Sequence, residues 1–153
     1  MKSDLTVLWK ELIEDWLAQK GARSASVHTR RSYAATIVRW QTFLASCMPP
    51  AALWEADAGH VRRWQQALRA ERLAESSVNQ RLSCVSSFYA FVQRERRLAD
   101  GVEAPIFADA AGHVRANPFR AENVERGQAM RYERARVLSR DELLRVLCWL
   151  EDN

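Results

Sequence analysis

Between Ser76 and Arg97 the sequence runs SSVNQRLSCVSSFYAFVQRERR, and its apolar residues Val78, Leu82, Val85, Phe88, Tyr89 and Val92 recur every three or four positions. That spacing lines them along one stripe of an α-helix and excludes a half-buried strand, whose period is two. The rest of the helix carries no acid before Glu95. It offers small polar groups instead, with arginines at both ends. Such a surface raises the question of what the helix touches besides water.

Three more segments have the same period. Leu5, Leu8, Trp9, Leu12, Ile13 and Trp16 predict a helix over 4–20, with Gly21 as its stop. Tyr33, Ile37, Trp40 and Leu44 predict a second over 27–46, capped by Ser26. The paired prolines of CMPPAALWEAD end it. Val61, Trp64 and Leu68 predict a third over 58–72, capped by Asp57, and Ser76 or Ser77 caps the fourth. Short loops between four such helices predict an all-α fold, a compact four-helix orthogonal bundle over residues 1–98. With 48% hydrophobic residues and six tryptophans, the chain has the material for a core.

After Leu98 the period is lost. Gly101, Pro105, Gly112 and Pro118 interrupt residues 99–138, which read as a linker, with a possible short hairpin in APIFADAAGHVRA. Asn117 before Pro118 is a turn signal. At 139–153, SRDELLRVLCWLEDN opens with the capping-box pair Ser139 and Glu142 and continues as an amphipathic helix.

No catalytic or metal-binding pattern emerges. Cys47, Cys84 and Cys148 are an odd set without CxxC spacing, and His28, His60 and His113 stand apart from one another. No phosphate-cradling glycine loop or nucleophile elbow occurs. No apolar run is long enough to span a bilayer, and the charged N-terminus does not read as a signal peptide, so a cytoplasmic location is expected.

The formal charge of +4 is unevenly spread. Residues 26–46, 76–97 and 115–136 each carry a net +3, whereas the other segments are neutral or acidic. Separate basic segments suit a polyanion. Opposite its core stripe the second helix presents His28, Arg31, Ala35 and either Arg39 or Thr42. The fourth presents Asn79, Gln80, Ser83, Ser86 or Ser87, Ala90 and Arg94. Short side chains let a helix approach a major groove, amides and hydroxyls meet base edges, and Arg81, Arg94, Arg96 and Arg97 would bracket the groove on phosphates. A second reading stays open: a small-residue face also lets two helices pack closely, making the chain a non-catalytic protein-interaction module.

Four stretches together resemble one family. SASVHTRRSYAATIVRWQTFL, AESSVNQRLSCVSSFYAFVQRE, NPF and RVLSRDELLRVL resemble, in order, the second and fourth helices, the closing Asn-Pro and the start of the catalytic domain of tyrosine recombinases, the phage-integrase family. The chain is thus similar to the N-terminal SAM-like, core-binding domain of that family. The resemblance implies half of a clamp around a double-stranded recombination half-site, in an assembly with other recombinase protomers, in DNA recombination and integration. It implies DNA contacts from Thr29, Arg31, Asn79, Gln80, Arg81 and Ser83; Arg131, Arg134 and Arg136 match the family's basic linker by composition. It also implies that strand cleavage, through a 3′-phosphotyrosyl intermediate and with no metal or nucleotide cofactor, uses residues past Asn153. Tyr33, Tyr89 and Tyr132 do not match the nucleophile. The stretch between Arg97 and Asn117 is longer than the family's, which suggests an inserted hairpin.

Overall fold

The computed structural model describes residues 2–24, 27–120 and 123–124. Four helices, α1 (Lys2–Ser24), α2 (Val27–Ser46), α3 (Ala58–Ala70) and α4 (Glu75–Arg94), precede a hairpin of β1 (Arg96–Ala99) and β2 (Val102–Pro105). One turn of 3₁₀ helix, Leu53–Glu55, lies between α2 and α3. The expected cap Ser26 and the expected helix at 139–153 lie outside the described residues.

The predicted stripes are the core. Trp9, Trp16, Ile37, Trp40, Leu44, Val61, Trp64 and Leu68 are buried. All six residues of the α4 stripe, Val78 to Val92, are fully buried. At the centre the Trp40 indole N–H donates to the Tyr89 hydroxyl (3.0 Å), which donates to the Leu53 carbonyl (2.8 Å). Two large buried side chains thereby satisfy their polar atoms and fasten the 3₁₀ turn to α2 and α4.

Helix boundaries differ from expectation: α3, expected to reach residue 72, ends at Ala70, and two further differences have a physical cause. Gly21 does not stop α1, which runs on to Ser24. A glycine costs a helix only about 1 kcal/mol, and the Arg30 stem of α2 packs 3.7 Å from where a Gly21 Cβ would sit. Likewise α4 begins at Glu75, with Ala74 at the cap position and no side-chain cap, instead of at Ser76 or Ser77. Glu75 accepts from Arg69 Nε at the end of α3 (3.3 Å) and places an acid in the first turn of α4, where the helix dipole favours it. The Asp57 cap is as expected: its carboxylate accepts from the His60 amide at 3.0 Å.

After Arg94 the chain forms an exposed hairpin and then, from Phe107 on, returns to the helices. The boundary expected at Leu98 falls within β1. The ladder is antiparallel, with Ala99 opposite Val102, and turns at Asp100–Gly101, both at positive φ (53° and 79°). That is the Asp-Gly pattern of a tight two-residue hairpin. It lies upstream of the hairpin expected in 104–116, where only an isolated bridge, Ala108 to Val114, forms. The Asp109 carboxylate there accepts from the Ala111 and His113 amides, both at 2.9 Å.

Phe107 and Phe119 then enter the core. Phe107 lies edge-on to Trp9 (5.6 Å), and Phe119 edge-on to Trp40 (4.9 Å) and Trp64 (6.0 Å). Arg115 holds this returning segment: its guanidinium donates to the Trp54 and Ala56 carbonyls and sits 4.9 Å from the Phe107 ring centroid. The described residues from Ile106 to Arg120 therefore return to the bundle. Their aromatic residues are too far apart in sequence to produce a period.

Candidate nucleic-acid interface

The polar residues of α4 divide into two sets. Ser86 Oγ and its carbonyl accept from Asn117 Nδ2 (3.3 and 2.9 Å), and Gln93 Nε2 donates to the Arg115 carbonyl (3.0 Å). These two positions are seven apart, hence on one stripe. Asn79, seven before Ser86, is 3% exposed. The expectation that Asn79 faces outward is thus corrected, since its side chain is buried; at Ser86 and Gln93 the returning segment covers a flank of α4. Asn117 completes the joint by accepting from the Phe119 amide at 2.9 Å, closing an Asx turn around Pro118.

The second set borders two clefts. One, of about 240 Å³ between α2 and α4, is lined by Ser32, Tyr33, Ala35, Thr36, Arg39, Ser77, Gln80, Arg81 and Cys84. The other, of about 230 Å³ between α1 and the end of α4, is lined by Trp16, Gln19, Lys20, Ser87, Phe91, Arg94 and Glu95. On α4 the lining residues Ser77, Arg81, Cys84, Ser87, Phe91 and Arg94 are spaced three and four apart, a continuous stripe about 25 Å long at 1.5 Å per residue. No carboxylate lines the α2–α4 cleft among the described residues.

The other expected contacts are distributed as follows. His28, Arg31, Arg39, Gln80, Ser83 and Arg94 are exposed, and Thr29 is half-buried near the start of α2. Arg81 is half-buried, with Nη1 3.8 Å from Glu71 Oε2. Arg94 Nε donates to the Ala90 carbonyl at 3.3 Å, which holds the guanidinium along the helix end. Arg39, Gln80 and Arg81 thus meet in one cleft, and Arg94 belongs to the other. His28, Arg31 and Ser83 line neither, and Arg131, Arg134 and Arg136 lie outside the described residues. Sequence reading missed Ser32, Ser77 and Lys20, because a cleft wall is shared between helices and no single-helix projection contains it.

The rest of the chemistry is quiet. Cys47 and Cys84 are free and buried. Burial pushes the Cys84 thiol up to about 12, against the Thr36 hydrogen bond and the Lys20 charge. Burial also raises the Tyr89 phenol, opposed by the Trp40 hydrogen bond and the Arg115 charge. Tyr33 stacks on Trp16 (5.5 Å, 13°). Among the described residues no group of three or more potential metal ligands forms, and no helix is long and apolar enough to cross a membrane.

Four helices with a basic, acid-poor groove between the second and fourth define a small helical domain of the SAM-like kind. Residues 13–96, more than half of the chain, match the family model of the phage integrase N-terminal SAM-like domain, and the chain belongs to that family, the tyrosine recombinases. Neither a search of curated proteins nor one of solved structures gave a match.

Proposed function

We propose that this chain binds the double-stranded DNA of a recombination half-site, laying the α2–α4 cleft and the α4 stripe against it. The observation that carries the reading is the α2–α4 cleft: two guanidiniums, Arg39 and Arg81, converge there with the Gln80 amide and the Ser32 and Ser77 hydroxyls, and the carboxylate beside Arg81, Glu71, stands outside the lining. Guanidiniums and hydroxyls suit phosphates, and an amide suits base edges. Lys20 and Arg94 extend positive charge to the far end of the stripe. Gln80 and Ser83, exposed on α4, and Thr29, Arg31 and His28 at the start of α2 complete the surface. Family membership supports the same partner, and the role is to bind and position DNA for recombination and integration alongside other protomers.

Of the small residues that the protein-interaction reading would set against a partner helix, Ser86 is engaged within the chain by Asn117, while Ser83 is exposed and Ala90 half-buried.

Electrophoretic mobility shift with labelled duplexes tests the proposal. Arg39→Ala and Arg94→Ala are expected to weaken binding several-fold each while the circular dichroism spectrum stays that of the parent. Arg62→Ala, on the exposed side of α3, is the control and should bind normally. Equal effects from all three would reduce the interface to bulk charge and contradict a defined groove.

A further inference from the structure

The β1–β2 hairpin stands out from the bundle, with most of its described side chains in solvent and only Ala104 and Pro105 half-buried. Leu98 is 76% exposed and Val102 65%, and Arg96, Arg97, Asp100 and Glu103 are exposed as well. Cross-strand partners share a face, so Arg96, Leu98, Glu103 and Pro105 lie on one side, and Arg97, Val102 and Ala104 on the other.

The two edges of this ribbon are not equivalent. The Ile106 amide bonds to the Glu95 carbonyl, so the inward-bonded pairs are Glu95–Ile106, Arg97–Ala104 and Ala99–Val102. The outward backbone groups are then those of Arg96 and Leu98 on β1, and of Glu103 and Pro105 on β2. Pro105 has no N–H, which blunts the β2 edge. Among the described residues nothing takes the two donors and two acceptors of the β1 edge, which are open to another strand.

We propose that the β1 edge pairs with β1 of a second copy of this chain, antiparallel across a two-fold axis, with Leu98 opposite Leu98 of the second copy. Charge selects that register. It brings Arg96 to the turn residue Asp100 of the other hairpin, twice by symmetry, and joins the outward N–H and C=O groups of the two Leu98 residues. Moving the register by two toward the root of the hairpin places Arg97 against Arg97, which repels, and moving it by two toward the tip parts the two Leu98 side chains. The basic root and acidic tip of each hairpin thus fit the same feature running the other way. Among the described residues no ion pair within the chain uses Arg96, Arg97, Asp100 or Glu103. The pairing buries the Leu98 side chains against each other and turns two ribbons into a four-stranded sheet. The junction is small, so it is a weak contact that acts when two copies are already neighbours, as on one DNA molecule. It adds to the DNA-binding reading and is tested without nucleic acid, so failure of one leaves the other standing.

Sedimentation of the DNA-free protein at on the order of 0.5 mM should show dimer. Leu98→Glu, a change at an exposed site that leaves the fold intact, should return it to monomer. In a Cys148→Ser background, Leu98→Cys should form a disulfide dimer on mild oxidation, because directly paired residues have Cα atoms about 5.5 Å apart. Arg97→Cys should not, because its counterpart lies diagonally across the junction, about 7–8 Å away or more. A monomer at that concentration, a dimer indifferent to Leu98→Glu, or equal cross-linking through both positions would overturn the proposal. A loss of DNA affinity in Leu98→Glu with the parent remaining monomeric would assign the hairpin to DNA instead, and also overturns it.

Discussion

The indole of Trp40 and the hydroxyl of Tyr89 are joined by a 3.0 Å hydrogen bond at the point where α2 crosses α4, and both side chains are fully buried. This contact fixes the relation of the two helices that wall the candidate DNA cleft. Tyr89→Phe keeps the ring and removes the acceptor, leaving the Trp40 N–H without its partner. A loss of about 1–3 kcal/mol is expected, read from urea denaturation at constant m. A change too small to measure would mean that the bond does not hold the crossing.

Phe119 ties the segment after the hairpin to the same centre, packed on Trp40, Trp64 and Tyr89. Phe119→Ala should cost about 3–5 kcal/mol, far more than a linker residue could. Thermal melting of the variant beside the parent decides it. An unchanged midpoint would place the segment around Phe119 outside the cooperative unit.

The helices were legible because their cores are periodic. Every α4 stripe residue from Val78 to Val92 is buried where the spacing put it. The hairpin and the returning segment were not, for different reasons. Asp100–Gly101 is a strong turn signal, but its strands are four residues each, too short to show alternation. Phe107, Arg115, Asn117 and Phe119 work through single long-range contacts, which leave no pattern in a window. The burial of Asn79, 3% exposed, left no pattern either. A helical wheel separates core from not-core; it cannot divide the remainder between water and a segment that arrives from thirty residues away. Arg39, Gln80 and Arg81 were nameable singly, but their meeting in one cleft depends on how α2 and α4 cross.

Two backbone positions predict opposite substitutions. Arg72, just past α3, has φ of +61°, a region costly for a side chain. Arg72→Gly should therefore stabilise by about 1 kcal/mol. Gly21 sits inside α1 with ordinary space for a Cβ, so Gly21→Ala should stabilise by about 0.5–1 kcal/mol. Calorimetry on the two variants checks both, and a lowered melting point in either refutes the local geometry assigned to it.

The Asp57 cap gives stability a pH dependence of known sign. Partial burial works to raise its pKa, but the hydrogen bond from the His60 amide, the charge of His60, the Gly59 amide and Arg63 outweigh it, leaving the carboxyl below its ordinary 3.8. The folded state therefore holds this proton less tightly than the unfolded one. The stabilisation is complete above pH 3.8 and is lost as pH falls through the lower folded value. Asp57→Ala should cost about 0.5–2 kcal/mol at neutral pH, with the gap to the parent narrowing in acid. Asp57→Asn, which caps without titrating, should hold a steadier margin over the alanine variant. A gap that widens in acid would contradict the sign.

The salt dependence of duplex binding tests the central claim most directly. If the α2–α4 cleft and the α4 stripe neutralise phosphates, log K plotted against log salt should fall linearly, by roughly 0.9 for each phosphate contacted. Arg39→Ala should flatten that slope by about one contact, and Arg62→Ala should leave it unchanged. A duplex affinity indifferent to salt, or no binding at low salt to any duplex that includes recombination half-sites, would contradict the account.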